Sequence, residues 1–244
     1  MALIDQPQDQ QGAFSLPPGR ALEICRQLEM AILEHRILPG MKLNEDEVGE
    51  TFGASRTVAR SALQALAHSG LVTIERNRGA FVSRPSIREA HDVFEARALI
   101  EPRIARMAAR AMSDDDLTML RAHIENEHSA VHSGNKGQAL SLSGAFHLAI
   151  AEVANQQVLT QIMRPLISRS SLIIALYWRR PDTTCESHSH EALMKAFAAR
   201  DPFAAEEVMK SHIVDLHSGL DLVERPAAEP TLAAVFSGDP GSKT

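Results

Sequence analysis

The stretch ILPGMKLNEDEVGETFGASRTVARSALQALAHSGLV, residues 37–72, decides the reading of the first third of the chain. Leu38-Pro39-Gly40 is a turn. Asn44 stands where a side-chain oxygen can accept the first backbone N–H groups of a helix, and Glu45, Asp46 and Glu47 follow at that helix's positive end. Gly53 supplies a left-handed stop and Ser55 a second N-cap, so another helix covers residues 56–68. Val58, Ala62, Leu63 and Leu66 fall on its inward face. Arg56, Thr57 and Arg60 occupy the opposite side, at or near its first turn.

Upstream, Leu22, Cys25, Leu28, Ile32 and Leu33 recur at helical spacing and predict a helix over residues 20–36. Downstream of Gly70, Leu71–Ile74 and Ala80–Ser83 read as two short strands joined by the turn ERNRG, with Gly79 in it. Helix, short helix, turn, third helix and hairpin form a winged helix-turn-helix pattern, whose third helix enters the DNA major groove. Charge agrees: residues 52–88 carry six arginines against the single acid Glu75, on a chain of net charge −6. A basic patch on an acidic protein fits phosphate, which arginine neutralises with release of counterions. Arg56, Thr57 and Arg60 are the candidate groove contacts, and Arg78 and Gly79 the wing contacts. One Trp and one Tyr leave little for base stacking, which favours duplex DNA over single strands.

Residues 88–222 read as helices near 88–112, 114–133, 137–154, 156–180, 187–200 and 202–222, with Asp114 and Asp201 as starts and Gly134–Gly137 and Pro181–Thr184 as breaks. The fold class is therefore mainly α: a winged domain over 19–84, a hinge near Ser83–Ile87, and an all-α antiparallel bundle over 88–222. Residues 1–18 and 225–244, rich in Gln, Pro, Gly, Ala and Ser, read as disordered tails. No apolar run is long enough to span a membrane and the N-terminus is not a secretory signal; with two unframed cysteines, the expected location is cytoplasmic.

Three of the 11 histidines fall on inward faces of three different helices: His147, His190 and His212. Buried imidazoles need partners, and a shared divalent cation supplies one, so the trio is a candidate metal site. The other eight, His35 and His217 among them, show no joint placement and read as surface residues. Phosphate loops and Ser or Cys nucleophile signatures are absent, HSHE at residues 188–191 lacks zinc-protease spacing, and no acid is evident beside the trio, which argues against an enzyme.

Residues 37–72 and RNRGAFV (76–82), with ARALIEPRIARMAAR (96–110), GAFHLAIAEVAN (144–155) and HEALMKAFAARDPFAAEEVMKSHI (190–213), resemble the GntR family of bacterial transcriptional regulators, in the FadR-like subfamily with a C-terminal FCD effector domain. The departures at Val58, Ala59 and Ser61 leave the DNA-facing arginines in place. The resemblance implies a homodimer on a pseudo-palindromic operator, probed by a small effector in the bundle, commonly an organic acid. It also implies a divalent metal, Zn²⁺ or similar, on His147, His190 and His212. The usual Asp ligand one turn before the first His is replaced by Ser143, leaving that position to water or effector. Arg97 matches a family arginine that could face an effector carboxylate, so Arg97 and Ser143 are the candidate effector residues. The expected function is a ligand-responsive regulator, a repressor by preference. The rival readings are a metal-responsive regulator and a metal-dependent enzyme.

Overall fold

The computed structural model describes residues 19–179 and 184–223, and side chains other than those of residues 184–187 within them. Both expected tails lie outside these residues, as do residues 181–183 of the expected Pro181–Thr184 break, whose last residue, Thr184, instead begins a helix. The N-terminal unit comprises α1 (Arg20–Leu33), β1 (Lys42–Leu43), α2 (Glu45–Phe52), α3 (Arg56–His68), β2 (Val72–Glu75) and β3 (Gly79–Val82). Asn44 accepts from the Asp46 amide at 2.9 Å and Ser55 from the Val58 amide at 3.4 Å, so both sequence-read caps hold their helices. Gly53 closes α2 at φ +59°, a conformation that costs glycine little.

The sheet is antiparallel in the order β1-β3-β2, with Leu43 opposite Ala80 and Ile74 also opposite Ala80 from the other side. Sequence periodicity misses β1 because two residues carry no alternation. The wing strands are each displaced by one residue from their expected bounds. α1 ends at Leu33 rather than at residue 36: His35 is left-handed at φ +55°, and the Arg36 and Ile37 amides both turn back to the Ala31 carbonyl. Ile24, Ile32, Leu63, Leu66 and Leu71 form the buried core of this unit.

The helical unit comprises α4 (Ile87–Ala111), α5 (Asp114–His132), α6 (Lys136–Val153), α7 (Gln157–Tyr177), α8 (Thr184–Ala198) and α9 (Pro202–Ser218). α5 is capped by Ser113, one residue before the expected start, with a reciprocal Ser113–Asp116 capping box. Asp201 caps α9, and Pro202 takes the first helical position where a missing N–H costs nothing. Phe94, Ile104, Phe146, Ile150, Phe197 and Ile213 fill the centre at 2% exposure or less. Burying such side chains contributes about 1.5–3 kcal/mol each before the entropy of ordering them is subtracted.

The two units are packed together. Leu172 of α7 is fully buried within the core of the winged unit. Ser171 Oγ donates to the Leu33 carbonyl at 3.4 Å, and His35 Nε2 lies 3.1 Å from the Ser171 carbonyl. Tyr177 Oη donates to the Pro85 carbonyl at 2.8 Å across the connecting segment. His35 is thus not a surface residue, contrary to the sequence expectation. His123 is half-buried against the Leu142 carbonyl at 2.8 Å, and His217 stacks on Phe94 with its Nε2 3.0 Å from His91 Nδ1. These placements come from contacts between helices, which the periodicity of one helix does not report.

Candidate DNA interface and histidine centre

α3 presents Arg56, Thr57 and Arg60 to solvent, on the face opposite Ala59, Ala62, Leu63 and Leu66. The arginines are not free. Glu45, at the start of α2, accepts from Arg56 Nε at 2.9 Å and from Arg60 Nε and Nη2 at 2.9 Å each. Hydrogen bonds from Arg60 and then Arg56 hold the Glu45 carboxyl down at about 2, so it stays ionised at any physiological pH. Counted along residues 52–88 the surface is basic; folded, it includes Glu45 and Asp46, 3.5 Å from Arg56. At the wing, Arg78 pairs with Glu75 and lies 5.4 Å over the Phe81 ring, while Asn77 (φ +63°) and Gly79 (φ +100°) make the tip.

In the bundle, α6, α8 and α9 bring His147, His190 and His212 together, each 3% exposed or less. Their ring centroids are 4.9–5.3 Å apart, and one ligand nitrogen from each lies within 4.8 Å of the others. His147 Nε2 and His212 Nε2 are 3.2 Å apart. Each of the other two ring edges is held by a buried acid: His147 Nδ1 lies 2.5 Å from Glu101 Oε2, and His190 Nδ1 2.9 Å from Glu127 Oε2. This corrects the expectation that no acid stands beside the trio. Glu101 and Glu127 come from α4 and α5, and nothing in the spacing along α6, α8 or α9 predicts them. They face the outer ring edges, where they act as hydrogen-bond acceptors for the imidazoles.

The electrostatics follow from burial. Although desolvation opposes its charge, Glu101 is held at about 2 by Arg97, 2.5 Å away through Nε, and by His147. Burial lowers His147 despite Glu101, and lowers His212 well below the usual histidine range, with the neighbouring histidines adding to it. A carboxylate on Nδ1 favours the Nδ1–H tautomer, which turns the Nε2 lone pair of His147 and His190 inward. His190 Nε2 is fully buried and has no hydrogen-bond partner, the kind of orphan that a cation satisfies.

Tetrahedral zinc at about 2.0–2.1 Å from each nitrogen needs separations of about 3.3 Å. The His147–His212 pair is already there, so the donor set, its tautomers and its orphaned nitrogen fit a divalent metal. Arg97 is buried, not an exposed helix arginine. It and Ser143 line the same cavity as His147, about 1150 Å³ in volume; His190 and His212 adjoin His147 but do not line that cavity.

Comparison with known proteins agrees with these two units. The gntR family of bacterial regulatory proteins matches residues 20–82 and the FCD domain matches residues 92–215. The Nta operon transcriptional regulator of Aminobacter aminovorans is 28% identical over 177 residues, covering 72% of this chain and 83% of that protein. The transcriptional repressor RspR of Escherichia coli K12 is 25% identical over 197 residues, covering 80% and 86%. Among solved structures, a GntR transcriptional regulator from Rhodococcus sp. RHA1 superposes with a TM-score of 0.73 at 22% identity, over 82% of this chain and 96% of that one, a likeness of fold. Among the described residues no helix is long and apolar enough to cross a membrane. The relatives are regulators, so the metal-dependent enzyme reading is set aside and a cation as the signal is not favoured. With a winged helix-turn-helix followed by a helical bundle, the chain belongs to the GntR family of bacterial transcriptional regulators and carries an FCD domain as its C-terminal half.

Proposed function

We propose that this regulator binds operator DNA as a cytoplasmic homodimer and is released by a small carboxylate held at the histidine centre, acting as a repressor. Arg56 and Arg60 would reach guanine edges or flanking phosphates, Thr57 a base methyl or phosphate, and Arg78 with Gly79 the backbone or minor groove. His147, His190 and His212 would hold a divalent ion of the zinc type, which supplies a Lewis-acidic anchor. Ser143 and Arg97 then stand on the cavity side of the anchor, where a carboxylate would bind.

The observation that carries this reading is the buried, unpartnered His190 Nε2, in a trio whose outer edges are already fixed by Glu101 and Glu127. Charge supports the anionic ligand. Three neutral imidazoles, a dication, Arg97, Glu101 and Glu127 leave one positive charge uncompensated, and Ser143 does not remove it as an aspartate would. The test is elemental analysis of the purified chain with operator binding followed across a panel of carboxylates. Zinc-type metal in stoichiometric amount and a carboxylate that changes operator affinity by roughly 5–150-fold are the expected results. Metal content near zero after loading, with unaltered His190→Ala behaviour, would sink the metal half of the reading.

A further inference from the structure

Arg56 and Arg60 stand one helical turn apart on α3, a spacing at which two like charges repel. The turn at Gly53 folds α2 back against them, and Glu45 bridges the two guanidinium groups. Its Oε1 accepts from Arg60 Nε, and its Oε2 from both Arg60 Nη2 and Arg56 Nε, each at 2.9 Å. The grip on Arg60 is therefore side-on and bidentate, which fixes the plane of the guanidinium. It uses two of the five N–H donors and leaves three, among them the pair on the outer edge formed by Nη1 and Nη2. Two parallel donors match the O6 and N7 acceptors of guanine; adenine sets an amino donor in the place of O6. Arg56 is held at one point by Glu45, with Asp46 3.5 Å from its Nη1.

Charge separates this cluster from an ordinary basic patch. Arg56 and Arg60 stand against Glu45 and Asp46, so the four side chains are formally neutral together. Glu45, held at about 2, does not relax this by taking up a proton. A neutral cluster gains little from counterion release on phosphate, and a fixed carboxylate beside the groove-facing arginines is repelled by it. What remains is directional hydrogen bonding.

We propose that Glu45 is a positioning residue for sequence readout: it aims the outer edge of Arg60 at one guanine of the operator, and its own charge weakens binding to all other DNA. This rests on Arg60 as a groove contact. An unheld arginine would lose rotamer freedom on meeting the base, whereas Glu45 orders it before DNA arrives. A clasp that merely blocked the arginines would act in the opposite sense, since its removal would strengthen operator binding along with the rest.

The test compares the full chain with Glu45→Gln, Glu45→Asp and Arg60→Ala. The probes are the duplex that the unaltered chain enriches from a randomised pool and an unrelated duplex of equal length. Fluorescence anisotropy is followed from about 50 to about 200 mM salt. Glu45→Gln should bind the unrelated duplex more tightly, with a salt slope steeper by about one. Its preference for the enriched duplex should fall roughly tenfold. Glu45→Asp keeps the charge but is one methylene too short for the side-on grip, so it should lose the preference without steepening the slope. Exchanging one particular guanine for adenine should weaken the unaltered chain by roughly tenfold and both Glu45 variants little.

Equal strengthening on both duplexes by Glu45→Gln makes the carboxylate an electrostatic brake and overturns the proposal. Full preference retained by Glu45→Asp, or an unaltered chain insensitive to every guanine exchange, overturns it too. If Arg60→Ala loses the preference while both Glu45 variants keep it, the groove contact stands and only the positioning role falls. If Arg60→Ala keeps it as well, or the unaltered chain enriches nothing from the pool, the groove contact itself falls.

Discussion

Ser143 is the residue at which this chain departs from the ligand set its family resemblance implies, and it sits 5% exposed on the cavity wall beside His147. Ser143→Asp should raise zinc affinity by roughly tenfold or more in a chelator competition, because a carboxylate is a far better ligand than a hydroxyl. Glu127→Ala should lower it about 10–100-fold by freeing the His190 ring, although Glu127 touches no metal. On the DNA side, Arg60→Ala should cost about 1–3 kcal/mol of specific operator binding by fluorescence anisotropy, with little change in thermal stability since the side chain is 54% exposed. These groups differ in legibility. The three histidines announce themselves by helical spacing. Glu101 and Glu127 do not, because a hydrogen bond between α4 and α6, or α5 and α8, leaves no pattern along either helix.

Among the elements, α7 has two allegiances. One face closes the bundle around Met163 and Ile173, and Leu172 at 0% exposure completes the core of the winged unit. Leu172→Ala should therefore destabilise the winged unit by about 2–5 kcal/mol, read as an earlier loss of operator binding in urea than of bundle helicity. α6 approaches α1 equally closely: a Cβ on Gly137 would fall 1.8 Å from the Glu34 carbonyl oxygen. Gly137→Ala should push the two units apart, and faster proteolysis near Ser83–Ile87 would report it. The helices themselves were readable from caps and apolar spacing. Their ends shifted where a tertiary contact competes, as when His35 turns left-handed and reaches Ser171.

For the whole molecule, acid sensitivity follows from burial. His147, His212 and His35 are lowered by desolvation, and His217 by desolvation and its neighbour His91. Each stays neutral in the folded chain at a pH where the unfolded chain has taken up a proton. Stability is therefore fully present above the ordinary histidine range near 6.5 and is lost as pH falls through it. A thermal melt at pH 5.5 should lie below one at pH 7.5, and loading with zinc should raise the melt at pH 7.5 more than at pH 5.5. The sequence alone determined the winged helix-turn-helix, the helical bundle and the inward trio, because caps, glycine stops and amphipathic spacing are local properties of a chain. Only the tertiary structure decided that Glu45 clasps the recognition arginines, that two buried acids orient the histidines, and that one cavity runs from Arg97 to α1. The hydrogen bonds in these arrangements join residues on different helices, from 11 to 63 positions apart, and their energies exist only once the helices have packed.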